Sequence, residues 1–343
     1  MRRFRFLRNP EASEMGQHVE EFLTILGGPA CIFLEGVDDS RTRAFVTLLH
    51  GNEPSGARAL FRWLKSGQQP QVSTVCILGA VNAALSEPLF SHRMLPGDRD
   101  LNRCFQPPFD DEPGRLAEEI LEILRMHHPE AVVDMHNTSG SGPAFGVCTH
   151  MDRHHDALVS KFTQRLIISN LGLGALMDIS ESACPTVTVE VGGRLDDEAH
   201  TLAYEGLCRY LLSESVLAAD DTDWGLELLH DPIRLELREG VSLRYGNGPD
   251  TSFDITLKSD VEQYNFGTVN SDTPLGWMGA SPRDLFKAQD AKGDCAVERL
   301  VRTEEGVLYA ARDLKLFMIT SNAVIAQSDC LFYAVADDGR PIA

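Results

Sequence analysis

From about residue 29 to residue 215, short apolar runs of strand length alternate with segments that are apolar at helical spacing. The runs at 30–37, 44–49, 75–81, 131–135 and 186–191 read as buried strands. Those at 56–64, 116–126 and 198–212 read as helices, the first opened by Pro54 and Ser55. Alternation of this kind predicts an α/β domain whose mainly parallel sheet is covered by helices.

The texture changes after an acidic break, Ala218-Ala219-Asp220-Asp221-Thr222-Asp223. Beyond it come short alternating runs split by glycine and proline, such as 233–237, 253–257 and 314–319, which predict a mostly β domain. The expected division is residues 1–218 and 219–343. Inside the first domain, residues 85–113 are rich in Pro, Gly, Asp and Arg and read as a long irregular loop. Such loops in compact domains tend to carry function. Gly172-Leu173-Gly174 lacks the remainder of a dinucleotide fingerprint and reads as a turn.

Charge narrows the partners. With 51 acidic against 31 basic residues, the formal charge of −20 repels phosphate backbones, so nucleic acid is not expected. No stretch is apolar for long enough to span a bilayer, so no membrane partner is expected either. The basic start is followed by Arg8, Glu11 and Glu14 where a signal peptide needs an apolar run, and the eight cysteines are scattered without a C-x-x-C pair. A cytoplasmic protein is the expectation, with homo-oligomerisation left open.

Two motifs suggest a metal. His50-Gly51-Asn52-Glu53 follows an apolar strand and precedes a helix, so that two ligands three residues apart can converge on one ion. An isolated H-x-x-E is weak, as His127-His128-Pro129-Glu130 illustrates: its proline and helix-end position suit a helix stop. Asp134-Met135-His136-Asn137-Thr138-Ser139-Gly140 follows another strand. Ligand sites in open α/β sheets gather beyond the carboxyl ends of strands, so one location can serve both His50 and His136. Two histidines and a glutamate make a catalytic zinc set with one position open for water. Asp134 could orient a ligand histidine or point into the core.

Two further motifs admit two readings each. In Val187-Thr188-Val189-Glu190-Val191-Gly192-Gly193, Glu190 is either a carboxylate capping the next turn or a general base. In Asp100-Leu101-Asn102-Arg103, Arg103 is either a solvated loop residue or a planar fork for a carboxylate.

Together, in this order, these motifs resemble the succinylglutamate desuccinylase/aspartoacylase family, relatives of zinc carboxypeptidases that hydrolyse N-acyl amino acids. The resemblance covers roughly residues 29–215, and the stretch 137–143 is closer to the aspartoacylase branch. It implies a zinc-carboxypeptidase-like sheet and a smaller C-terminal β domain. It implies one Zn2+ per chain on His50, Glu53 and His136, with Glu190 activating water. Asn102 and Arg103 match the pair holding the substrate carboxylate. Arg93 resembles the arginine that polarises the scissile carbonyl, and Arg99 is its rival. The expected substrate is a small N-acyl amino acid with a free carboxylate. A carboxypeptidase acting on short peptides, and a catalytically silent binding protein on the same fold, are the alternatives. His150, His154 and His155 could bind a second metal, but they sit among Asp152, Arg153 and Asp156 and read as a solvated helix start.

Overall fold

The computed structural model describes residues 3–138, 140–169, 172, 174–218, 222–328 and 330–342. Ser139 of the second histidine motif, Leu173 of the glycine turn and residues 219–221 of the acidic break lie outside them. The chain divides into two compact units, one of residues 1–138, 144–166 and 170–226, the other of 139–143, 167–169 and 227–343.

The first unit contains β1 (Arg5–Arg8), α1 (Val19–Leu26), β2 (Ala30–Leu34), β3 (Asp38–Thr47), α2 (Ser55–Ser66), β4 (Val72–Leu78), α3 (Val81–Leu85) and α4 (Glu112–His127). Then follow β5 (Val132–Thr138), β6 (Phe145–Cys148), α5 (Arg153–Val159), β7 (Arg165–Ile168, its last two residues counted in the second unit), β8 (Thr186–Gly193) and α6 (Asp197–Leu212). The sheet runs β1-β2-β4-β3-β5-β8-β6-β7. The pairs β4–β3, β3–β5 and β5–β8 are parallel, whereas β2–β4 and β6–β8 are antiparallel.

Alternate residues of β3 face opposite layers. Ala44 and Val46 pack with Val75, Ile77, Ile120 and Leu124, so α4 covers that face. Thr47 points the other way, toward Gly56 of α2, where a Cβ would lie 2.0 Å from Thr47 Oγ1. Helix α2 buries Leu60, Trp63 and Leu64 on one stripe and stops at Gly67, which adopts the left-handed conformation. Helix α4 is capped by Asp111, whose side chain accepts from Gly114 N–H, and ends at His128 in the left-handed region. The His127-His128-Pro129-Glu130 segment is therefore a helix stop, and Glu130 pairs with Arg41 and Arg43.

Some boundaries differ from expectation. The run at 75–81 leaves the sheet at Leu78, and Val81 opens α3; the run at 44–49 begins earlier, at Asp38, and ends at Thr47. Apolar composition continues past each strand because the turn beyond it is buried too.

The second unit contains β9 (Glu227–His230), β10 (Ile233–Leu237), β11 (Leu243–Gly246), β12 (Ile255–Lys258), β13 (Gly267–Val269) and β14 (Pro274–Met278). It continues with β15 (Phe286–Lys287), β16 (Val301–Glu304), β17 (Val307–Ala310), β18 (Leu314–Phe317) and β19 (Phe332–Ala336). Two sheets, β13-β18-β19-β10-β15 and β11-β12-β14-β17-β16, share a core that includes Leu235, Ile255, Leu257, Phe286, Leu308 and Leu316. No helix among the described residues is long and apolar enough to cross a membrane.

Candidate metal centre

Strand β3 ends at Thr47, and Leu48 turns the chain with a positive φ of 52°, so that His50 leaves the sheet at its carboxyl end. Gly51 lets this turn press against α3: a Cβ there would lie 2.5 Å from Ala84 N. Glu53 follows just before α2. His136 lies on the neighbouring β5, in register with Glu190 on β8. Three elements of one parallel sheet thus bring residues from distant parts of the chain together.

The Glu53 carboxylate stands between the two rings. Its Oε1 is 2.8 Å from His50 Nδ1 and its Oε2 is 2.7 Å from His136 Nδ1. Each ring is held from behind by another carboxylate: His50 Nε2 lies 2.8 Å from Asp100 Oδ1, and His136 Nε2 lies 2.8 Å from Asp134 Oδ2. The side chain of Asp134 therefore orients a histidine. All three residues are buried, with His50 at 3%, Glu53 at 6% and His136 at 2% exposure. One donor atom from each lies within 4.8 Å of the others.

This donor set fits a divalent ion of zinc's type. Two imidazoles present the same nitrogen, Nδ1, toward one carboxylate, while the opposite nitrogens meet acceptors that fix ring orientation. Burial opposes charge here, yet carboxylates overcome it. The His136 pKa is raised well above the usual range by Asp134 and Glu53, and that of His50 is raised by Glu53 and Asp100. Burial likewise works against ionised Glu53, but the two histidines hold its pKa below the ordinary carboxylate range.

Glu190 contrasts with Glu53. Its Oε2 is buried without a hydrogen-bond partner, so it is not the cap of the following turn. That task falls to Asp196, whose Oδ2 accepts from Gly193 N–H. Burial pushes the Glu190 carboxyl up to about 7, with His136 opposing and Glu53 reinforcing the shift.

The two candidate arginines separate clearly. Arg93 donates to Asp100 Oδ2 through Nε at 3.1 Å and Nη2 at 2.8 Å, and its Nη1 is 3.5 Å from Glu53 Oε1. Arg99 instead donates to Asp111, with Nη2 2.7 Å from Oδ1, and is exposed. Asn102 is buried, but its Oδ1 accepts from Leu176 N–H at 3.0 Å. Arg103 is exposed, and its Nη1 donates to Asn102 O at 2.8 Å. The structure therefore gathers His50, Glu53, His136, Glu190 and Arg93, whereas the side-chain contacts of Asn102 and Arg103 lie outside the cluster.

Sequence reasoning gave Asp100 and Asn137 no task and Ser55 only that of opening α2. Asn137 donates through Nδ2 to Ser55 Oγ and to Gly192 O, each at 2.8 Å, and its Oδ1 accepts from Ser55 N–H. Its backbone N–H also reaches Glu53 Oε2 at 3.3 Å. One amide thus fastens β5, the start of α2 and the end of β8. Asp100 lies 50 residues from the histidine it braces, and no spacing rule could have nominated it.

Residues 42–206 match the family model described as the succinylglutamate desuccinylase/aspartoacylase catalytic domain. No curated protein sequence matches the chain. Among solved structures, a putative succinylglutamate desuccinylase/aspartoacylase from Shewanella frigidimarina aligns with a TM-score of 0.56 at 14% identity, covering 90% of this chain and 92% of that one. The product-bound ectoine utilization protein EutE (DoeB) from Ruegeria pomeroyi gives 0.54 at 15%, covering 88% and 86%. Murine aminoacylase 3 gives 0.51 at 18%, covering 85% and 94%. The architecture is the zinc-carboxypeptidase-like α/β fold. Over residues 42–206 the chain is therefore similar to the succinylglutamate desuccinylase/aspartoacylase family.

Proposed function

We propose that this protein hydrolyses the amide bond of a small N-acylated amino acid bearing a free carboxylate, with one zinc ion held by His50, Glu53 and His136. The observation that carries this reading is a buried carboxylate between two histidine Nδ1 atoms, with a half-buried glutamate in register beside it whose Oε2 is buried and has no hydrogen-bond partner. The matched family, named for two deacylases, supports the reaction class.

When bound, zinc would supply Lewis acidity toward the carbonyl and toward water. Glu190 takes a proton from the attacking water and returns it to the departing amine, for which an elevated pKa and an open lone pair suit it. Arg93, fixed by Asp100, offers positive charge where the carbonyl oxygen becomes negative. Asp100 and Asp134 hold the imidazoles in orientation. Arg103, with its guanidinium exposed, takes the substrate carboxylate, and Asn102 positions the loop that carries it.

Metal analysis together with a panel of N-acyl amino acids, their uncharged amides and dipeptides tests the assignment. Zinc at one equivalent in this centre and selective cleavage of carboxylated N-acyl amino acids are expected. Preferred cleavage of dipeptides would instead make the protein a carboxypeptidase, and zinc-independent activity would remove the metal from the reading.

A further inference from the structure

A second histidine–carboxylate–histidine arrangement lies at the junction of β6 and α5. Asp152 caps α5, its Oδ1 accepting from His154 N–H at 2.7 Å and His155 N–H at 3.0 Å. The same carboxylate lies between two rings: His155 Nδ1 is 2.9 Å from Oδ1, and His150 Nε2 is 3.5 Å from Oδ2. The rings meet edge to face with centroids 4.6 Å apart. One donor atom from each of the three residues lies within 4.8 Å of the others.

The expectation of a solvated helix start fails at His155, which is only 1% exposed. It shares a helical face with the buried Leu158 and Val159, so packing draws the ring inward. His150 and Asp152 keep side-chain exposures of 42% and 39%, leaving an open side for exchange with solvent.

We propose that His150, Asp152 and His155 form a second metal site, for a divalent transition ion of the zinc, cobalt or nickel class. A tetrahedral shell with bonds of ~2.0 Å separates its donors by about 3.3 Å, close to the spacings already present. The site is structural. Strand β6 runs antiparallel to β8 with Phe145 opposite Glu190 and Val147 opposite Thr188. Cys148, at the far end of β6, therefore stands about 10 Å along the sheet from the level of Glu190, at ~3.3 Å per residue. The paired ions of two-metal hydrolases are about 3.5–4 Å apart, which this placement excludes. The ion would instead clip the turn after β6 to the first turn of α5. Asp156 adds to the local charge: it interacts electrostatically with Asp152, and its Oδ1 is buried without a hydrogen-bond partner.

The test counts ions. The full chain is stripped with chelator, reloaded with zinc, desalted and assayed by elemental analysis beside His150→Ala and Asp152→Asn, the latter retaining a capping oxygen. Two equivalents in the parent and one in each variant are expected, with the hydrolysis rate of His150→Ala unchanged. One equivalent in all three proteins would overturn the second site. One in the parent and none in His150→Ala would uphold this site while removing the metal from the proposed catalytic centre.

Discussion

The two histidine–carboxylate clusters of the first unit present similar donors on different supports. His50, Glu53 and His136 come from two strand ends and the turn before a helix, and both rings are braced by further carboxylates. His150, Asp152 and His155 come from one turn and the start of a short helix, and among the described residues His150 has no such brace, its Nδ1 meeting Thr149 Oγ1 at 3.1 Å. The first cluster is assembled by the fold, the second by local sequence. Rigid elements hold a reactive geometry more closely than turns do, which supports the proposed chemistry at the first and the proposed tethering at the second.

The sharpest break between them is His136→Gln. Glutamine can still donate to Asp134 from the position of the imidazole Nε2, sparing a buried carboxylate the loss of its partner, but it offers no Nδ1. Hydrolysis should fall to background and one zinc equivalent should be lost, whereas His150→Ala loses an equivalent at full activity. Equal activity in the two variants would erase the distinction.

Next comes Glu190→Gln, which keeps shape but cannot take a proton. Zinc content should stay near normal while kcat falls by roughly 10²–10⁴-fold, the usual worth of proton transfer. Loss of zinc would make Glu190 a ligand. Full activity would leave its buried, unpartnered oxygen without a task.

The brace is tested by Asp100→Asn. The amide retains an acceptor for His50 but removes the charge that also holds Arg93. Zinc affinity should weaken by about 10–100-fold, the range typical for losing a group behind a ligand. A competition titration against a coloured chelator reads this directly, and unchanged affinity would confine Asp100 to holding the loop.

How much of this could be read from sequence depended on how far apart the cooperating residues lie. His50, Glu53, His136 and Glu190 could be nominated because each follows or ends a strand-like apolar run in an alternating domain. Asp134 was nominated by its place two residues before His136, but its direction was open until the fold fixed it. Asp100 escaped notice because it lies in a long loop, 50 residues from the histidine it braces. Strand β1 and helix α1 escaped as well. β1 is mostly exposed and holds its place through pairing with β2, and α1 is capped by a histidine rather than by Ser, Thr, Asp or Asn. His155 was misjudged for the opposite reason: charged neighbours signalled solvent, while the residues three and four positions on signalled core.

The smallest of the expected effects belongs to Arg103, which lies outside both clusters. Its guanidinium is exposed and, among the described residues, makes one hydrogen bond, to the carbonyl of Asn102, so its removal leaves no buried charge behind and should not disturb the fold. Arg93 is different, because its loss would take from Asp100 Oδ2 the guanidinium it accepts from beside the candidate metal centre. If Arg103 binds the substrate carboxylate, that contact exists in ground and transition states alike and should appear in KM rather than kcat. Loss of one charge-assisted pair at about 2 kcal/mol corresponds to roughly a 30-fold rise in KM for Arg103→Ala. The penalty should vanish for substrates whose carboxylate is amidated, since they have nothing for the guanidinium to hold. A fall in kcat at constant KM, or an equal penalty on both substrate types, would move the anchor elsewhere.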